Sequence, residues 1–173
     1  MDLQRITSGL LGFPLVLLVL LIGDKVVVDI ALSAIALLAM SEYFNAVSKV
    51  SKPVKWVGYL SCFSIAIIHI VPVEYLKTVV ILGVPTILLI LFAQVIATDM
   101  ETSFKDIAYT FIGIFYVVFF TMFVAFIDGM QNGKILIWYA LMAAWGTDIF
   151  AYFTGKLCGK HKFSKVSPKK SIE

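Results

Sequence analysis

Six apolar runs, each closed off by charged or turn-forming residues, restrict this chain more than any other feature. They cover 6–22, 26–44, 56–71, 76–97, 107–127 and 135–154. A helix that crosses a bilayer needs about 20 mostly apolar residues, so four of the runs are long enough. The first and third are short and need thinned lipid or snorkelling flanks. Within lipid every backbone N–H and C=O must be bonded internally, which leaves helices or a closed barrel. The runs are continuous and lack the period-two alternation of barrel strands, which excludes the barrel. The expected fold is therefore all-α, a polytopic transmembrane helical bundle of about six spans.

Composition supports the same conclusion. The chain is 61% hydrophobic and 14% charged, with mean hydropathy +0.98. A soluble domain is about 45–50% apolar and about 25% charged, so a water-soluble fold could not hide this much apolar surface. Cys62 falls in the third run and Cys158 beyond the sixth, with neither metal-ligand spacing nor a pairing expected.

Taken in order, the N-terminal run has Arg5 set against Asp2 and no small-residue cleavage site after it. It is expected to stay as an uncleaved first span, kinked at Pro14. Gly23-Asp24-Lys25 is expected to be a tight turn. Glu42 lies near a membrane boundary, either as an interfacial acid or as a partner for a lysine of the tail. His69, near the far end of the third run, is expected to be an interfacial donor, and Pro72 to end that run. Gly83 and Pro85 forecast a loosened turn in the fourth run. The fifth is aromatic, from Tyr109 to Phe126, as packing surface. Asp128 to Gly133 reads as a turn. No internal repeat suggests the inverted halves of a transporter.

The basic residues set the orientation. With six spans, Arg5, Lys49, Lys52, Lys55, Lys105 and the six lysines after the last run share one side, against Lys25, Lys77 and Lys134 on the other. The positive-inside rule then places both termini in the cytoplasm, in the inner (plasma) membrane. The expected organisation is a helical bundle over 1–154 and a basic cytoplasmic tail over 155–173.

The stretch 145–173 carries the chemistry. Trp145, Asp148, Tyr152 and Gly155 recur at helical spacing on one stripe. Asp148 lies about six residues, or roughly 9 Å, inside the end of its span. An acid at that depth is costly and is expected to face the bundle interior or a wet cavity. Either a nearby lysine neutralises it, or it contacts a metal or nucleotide. Lys156, Lys160, Lys162, Lys165, Lys169 and Lys170 follow; they set topology and meet acidic lipids. Gly155 and Gly159 are expected to break the helix and turn N–H groups toward an anion. Ser167-Pro168 has the form of an N-cap with Pro at the first helical position. Lys169 and Lys170 then fall at a helix start, where an anion is favoured.

At these residues the chain resembles the bacterial phosphatidate cytidylyltransferase (CDP-diglyceride synthase) family. The shared run is Asp148, Ala151-Tyr152, Gly155-Lys156, Gly159-Lys160-His161-Lys162 and Ser167-Pro168-Lys169-Lys170, ending at Glu173. Ile149, Cys158 and Ser171 stand where the family usually has Thr, Phe and Thr. The resemblance implies attack of a phosphatidate oxygen on the α-phosphorus of CTP, with pyrophosphate leaving and Mg²⁺ as cofactor. It implies catalytic roles for Asp148, Lys169 and Lys170, with Lys156, Lys160, His161 and Ser167 holding phosphates and Asp148 an accessory metal ligand. The implied partners are CTP, phosphatidate and membrane lipids, with a homodimer admitted and nucleic acid excluded. The family's later aspartate-rich signature is not in this sequence. The chain is thus expected to correspond to the N-terminal two-thirds of such an enzyme, inactive alone. A small transporter and a non-enzymatic assembly subunit stay open as alternatives. Reporter fusions test the topology: those at Ser51 and Lys165 should both report cytoplasm, and an extracytoplasmic signal at either overturns the six-span arrangement.

Overall fold

The computed structural model describes residues 3–159, and among them the chain is helical with no strand. The helices are α1 (Leu3–Ile22), α2 (Lys25–Val47), α3 (Lys55–Ala66), α4 (Val73–Ala97), α5 (Phe104–Gly113), α6 (Phe120–Gly129) and α7 (Gly133–Leu157). A π-helical segment, Ile114–Phe119, joins α5 to α6 in one continuous rod. Among the described residues four helices are long and apolar enough to cross a membrane: Lys25–Val47, Glu74–Ala97, Phe104–Gly129 and Gly133–Leu157. The chain is a helical membrane protein. It divides into two compact units, Met1–Gln131 and Asn132–Glu173.

Local chemistry explains the helix boundaries. Asp24 caps α2 by accepting from the Val27 N–H at 2.9 Å, which makes the expected turn after α1. Ser103 and Asp106 form a capping box at the start of α5. Asp99 and Met100 take left-handed φ values of 48° and 67°, turning the chain between α4 and α5. Asn132, also left-handed at φ 61°, precedes α7.

The third run forms a shorter helix than its hydropathy suggests. α3 stops at Ala66 and residues 67–70 are turns. Twelve residues reach about 18 Å at the helical rise, less than the roughly 30 Å hydrocarbon core. The Ser61 and Ser64 hydroxyls bond back to the Val57 and Ser61 carbonyls at 2.8 and 2.7 Å, which weakens a helix. Pro72 then becomes the N-cap of α4 instead of the end of a span. By contrast, α4 continues through Pro85 and α1 through Pro14.

In Met1–Gln131 the core gathers Ala36, Met40 and Phe44 of α2, Val57, Cys62 and Ile65 of α3, and Val117, Val118 and Ala125 of the α5–α6 rod. Lipid tails are as apolar as these side chains, so helix association depends on close packing and interhelical hydrogen bonds. Gly58 permits a close approach: a Cβ there would overlap the Phe44 ring. The Ser33 hydroxyl donates to the Cys62 carbonyl at 2.8 Å, tying α2 to α3, and the Tyr43 hydroxyl donates to the Tyr109 carbonyl at 2.7 Å.

One end of this unit is organised by Asp106. Its buried carboxylate accepts from the Ser51 hydroxyl, from the Lys52 N–H at 2.6 Å, and from the Ser103 N–H and hydroxyl at 2.9 and 2.8 Å. Nearby, the Val54 N–H donates to the Thr110 hydroxyl at 2.8 Å. Together these bonds pin the α2–α3 loop to the start of α5. Asp106→Ala should therefore cost about 2–4 kcal/mol, because it strips a cap and leaves buried donors unpaired. Thermal unfolding in detergent measures the loss, and an unchanged midpoint would show that the loop is held by other contacts.

Candidate functional site

The described part of 148–173 lies on α7. The helix is unbroken from Gly133 to Leu157, so Trp145, Asp148, Tyr152 and Gly155 do share one stripe. Asp148 is exposed on α7, and among the described residues no hydrogen bond or ion pair engages it. Lys156, two turns further on, places its Nζ 5.9 Å from the Tyr152 ring centroid, within cation–π range. Eight residues separate Asp148 from Lys156, about 12 Å along the helix axis. Opposite charges thus lie on one helix, about two turns apart.

The expected break at Gly155 is not there. The helix passes through Gly155, and the Cys158 N–H closes it on the Thr154 carbonyl at 2.8 Å. A single glycine costs a helix only about 1 kcal/mol relative to alanine, which the continuous helix leading up to it from Gly133 outweighs. The chain leaves the helix at Cys158, just before Gly159. Lys160, His161, Ser167, Lys169 and Lys170 lie outside the described residues.

No group of three or more His, Cys, Asp or Glu side chains is placed to hold a metal ion among the described residues. Asp148 has no set of co-ligands there, so residues 3–159 do not by themselves fit the Mg²⁺ that the resemblance implies.

The end of Met1–Gln131 opposite Asp106 holds a second group of ionisable residues. Asp29 of α2 is buried, and its Oδ2 lies 2.6 Å from His69 Nδ1. The turns at 67–70 bring the imidazole to it. A Cβ on Gly129 would sit 2.8 Å from His69 Nε2, so the end of α6 rests against the same ring. Asp128 is buried beside it in sequence, with neither carboxylate oxygen hydrogen-bonded; Asp29 Oδ1 is likewise unpartnered. His69 is thus a bridging residue of the bundle. Asp29 escaped the sequence reading, although the rule applied to Asp148, an acid inside an apolar run, applies equally to it.

The comparison with known proteins falls into place against this geometry. The model of the Cytidylyltransferase family matches residues 3–173, which include both the helical units and the whole Asp148–Glu173 run. The chain belongs to this family. A protein of Staphylococcus aureus (strain COL) named phosphatidate cytidylyltransferase is 30% identical over 179 residues, covering 98% of this chain and 64% of its own length. Proteins of the same name from Staphylococcus epidermidis (strain ATCC 35984) and Staphylococcus haemolyticus (strain JCSC1435) are each 27% identical with the same coverage. The chain thus spans about 64% of the length of these relatives. No solved structure matches it.

The Asp29–His69 pair makes a direct prediction for this family member. His69→Ala leaves a buried carboxylate with neither oxygen bonded, so stability should fall by about 1–3 kcal/mol. Adding Asp29→Asn should restore part of it by removing the charge. Thermal unfolding of the single and double variants reads this out; equal losses would mean that the carboxylate is already solvated.

Proposed function

We propose that the protein takes part in phosphatidate cytidylyl transfer, in which CTP and phosphatidate give CDP-diacylglycerol and diphosphate, in phospholipid synthesis. The observation that carries this reading is the span of the family match. It runs through Asp148, Lys156 and the Ser167-Pro168-Lys169-Lys170 segment, and the relatives aligned over the same residues bear that enzyme's name. The proposed setting is a six-span bundle in the inner membrane with both termini cytoplasmic, so that the Asp148 end of α7 meets soluble CTP.

In this reading Lys156, Lys160, Lys169 and Lys170 neutralise the nucleotide and lipid phosphates. His161 donates to a phosphate oxygen, and Ser167 contributes to holding the same anion. Catalysis of phosphoryl-type transfer depends on positioning and charge neutralisation, which suits a lysine-rich segment held at the membrane surface. Mg²⁺ belongs to the proposal on the resemblance alone, with Asp148 an accessory ligand. Homodimerisation is carried on the same footing.

Asp148 gives the sharpest test. Asp148→Asn keeps size and hydrogen bonding but cannot offset a cation. Membranes from cells expressing the complete coding sequence should show CDP-diacylglycerol formation reduced about tenfold or more, with the protein inserted at normal level. Wild-type turnover would assign Asp148 to packing and remove it from the site.

A further inference from the structure

The His69 end of Met1–Gln131 buries more negative charge than it answers. Asp29 Oδ2 is bonded to His69 Nδ1 at 2.6 Å, but Asp29 Oδ1 and both oxygens of Asp128 are buried without a hydrogen bond. Asp128 acts electrostatically on Asp29, so the two acids share one environment. The imidazole joins their helices: its Nδ1 engages α2, and its Nε2 would lie 2.8 Å from a Cβ on Gly129, the residue after Asp128. With both acids ionised, even a cationic imidazole leaves one negative charge over. An unpaired charge is costly to bury, and a like charge beside it adds to the cost.

The neighbouring groups do not restore the balance. Asp24 and Lys25 at the start of α2, and Glu74, Tyr75 and Lys77 at the start of α4, are exposed. The charges that act on Asp29 are those of His69 and Asp128. On α3 the Cys62 thiol donates to the Gly58 carbonyl of its own helix at 3.4 Å. A metal ion would need more ligands, since no three acidic, His or Cys side chains converge among the described residues. A proton needs a single acceptor oxygen, and the ring gives it a way in. The His69 side chain is 21% exposed, against 1% for Asp29 and 4% for Asp128. An imidazole can take a proton on one nitrogen and release another from the other.

We propose that Asp29, His69 and Asp128 form a proton-binding latch, which holds the end of α6 against α2 and the 67–70 turns while the two acids carry one proton between them, and releases it when that proton leaves. The proton enters through the ring: as one bonds to Nε2, the Nδ1 proton passes to Asp29 Oδ2, so one N–H bond forms, one breaks and one O–H bond forms. The proton then belongs to the coupled pair of acids and not to either alone. The inference stands on this cluster and does not rest on the nucleotidyl-transfer reading.

Hydrogen exchange at the end of α6 reads the latch, measured by mass spectrometry on the purified chain in detergent and corrected for the intrinsic pH dependence of amide exchange. The latched form binds one proton more than the released form, so rising pH favours release, by at most about tenfold per pH unit. Between about pH 5 and 8, the range over which an imidazole exchanges protons, protection there should fall severalfold. The start of α5 is the internal reference. Asp106 is held there by hydroxyls and backbone N–H groups, which do not titrate in this range, so its protection should stay level. Asp128→Asn keeps the size and removes the charge; it should flatten the dependence and keep the end of α6 protected at the upper end of the range. Asp29→Asn should flatten it as well, and Glu74→Gln, at an exposed acid, should leave it unchanged. Flat protection in the unaltered chain, a slope of opposite sign, a dependence that survives both Asp variants, or one that is lost with Glu74→Gln overturns the latch.

Discussion

The polar end of Met1–Gln131 depends on one carboxylate. Asp106 serves as the partner of Ser103 in a helix cap and as the acceptor for a loop that is distant in sequence. In a bilayer, packing between apolar faces cannot by itself select one arrangement, since tails and side chains are alike to each other. A buried charge that finds its donors in only one arrangement can. The α2–α3 hairpin and the α5–α6 rod are brought into register by that requirement. The packing of Phe44 against Gly58 and the Tyr43–Tyr109 bond follow once register is set.

The opposite end of the unit uses its acids differently. Asp29 and Asp128 are both buried, and His69 lies between α2 and the end of α6 with one imidazole for two carboxylates. Where Asp106 is saturated by four donors, Asp128 has none. The two ends thus differ in kind, one closed by a carboxylate with all its donors in place and the other by an Asp–His hydrogen bond beside an unanswered acid. A bundle built this way should loosen from the Asp128 end first, because local opening begins where bonds are fewest.

Much of the fold is legible in the sequence, and the parts that are not have physical causes. Hydropathy locates every long helix, since continuous apolar runs have few alternatives in lipid. It fails at 67–71, where apolar residues continue but the chain turns so that His69 can reach Asp29. That constraint is tertiary and leaves no local mark. The Ser103–Asp106 cap was readable as a Ser-x-x-Asp pattern ahead of an apolar run, yet the bonds from Ser51 and Lys52 were not, being more than fifty residues away. The π segment is hidden within an aromatic stretch that suits either helix type. On the candidate site, spacing gave the α7 stripe correctly. Glycine counting then placed the break at Gly155, two residues before the helix ends at Leu157, because the propensity of one residue is weak against a long helix already formed.

The π segment also sets the angular phase of the rod that contains it. A turn closed by i→i+5 bonds holds about one residue more than an α turn, and one residue is about 100° of rotation around the axis. Asp106 and Asp128 sit on either side of Ile114–Phe119, so the face that each buries is related to the other through that extra residue. Deleting one residue from the segment would leave a plain α-helix of nearly the same length, with one end turned by more than a quarter circle against the other. Asp106 could keep its loop only if Asp128 swung toward lipid. The bulge therefore acts as a phase adjuster, letting one straight helix satisfy two partners that a uniform α-helix could not face at once.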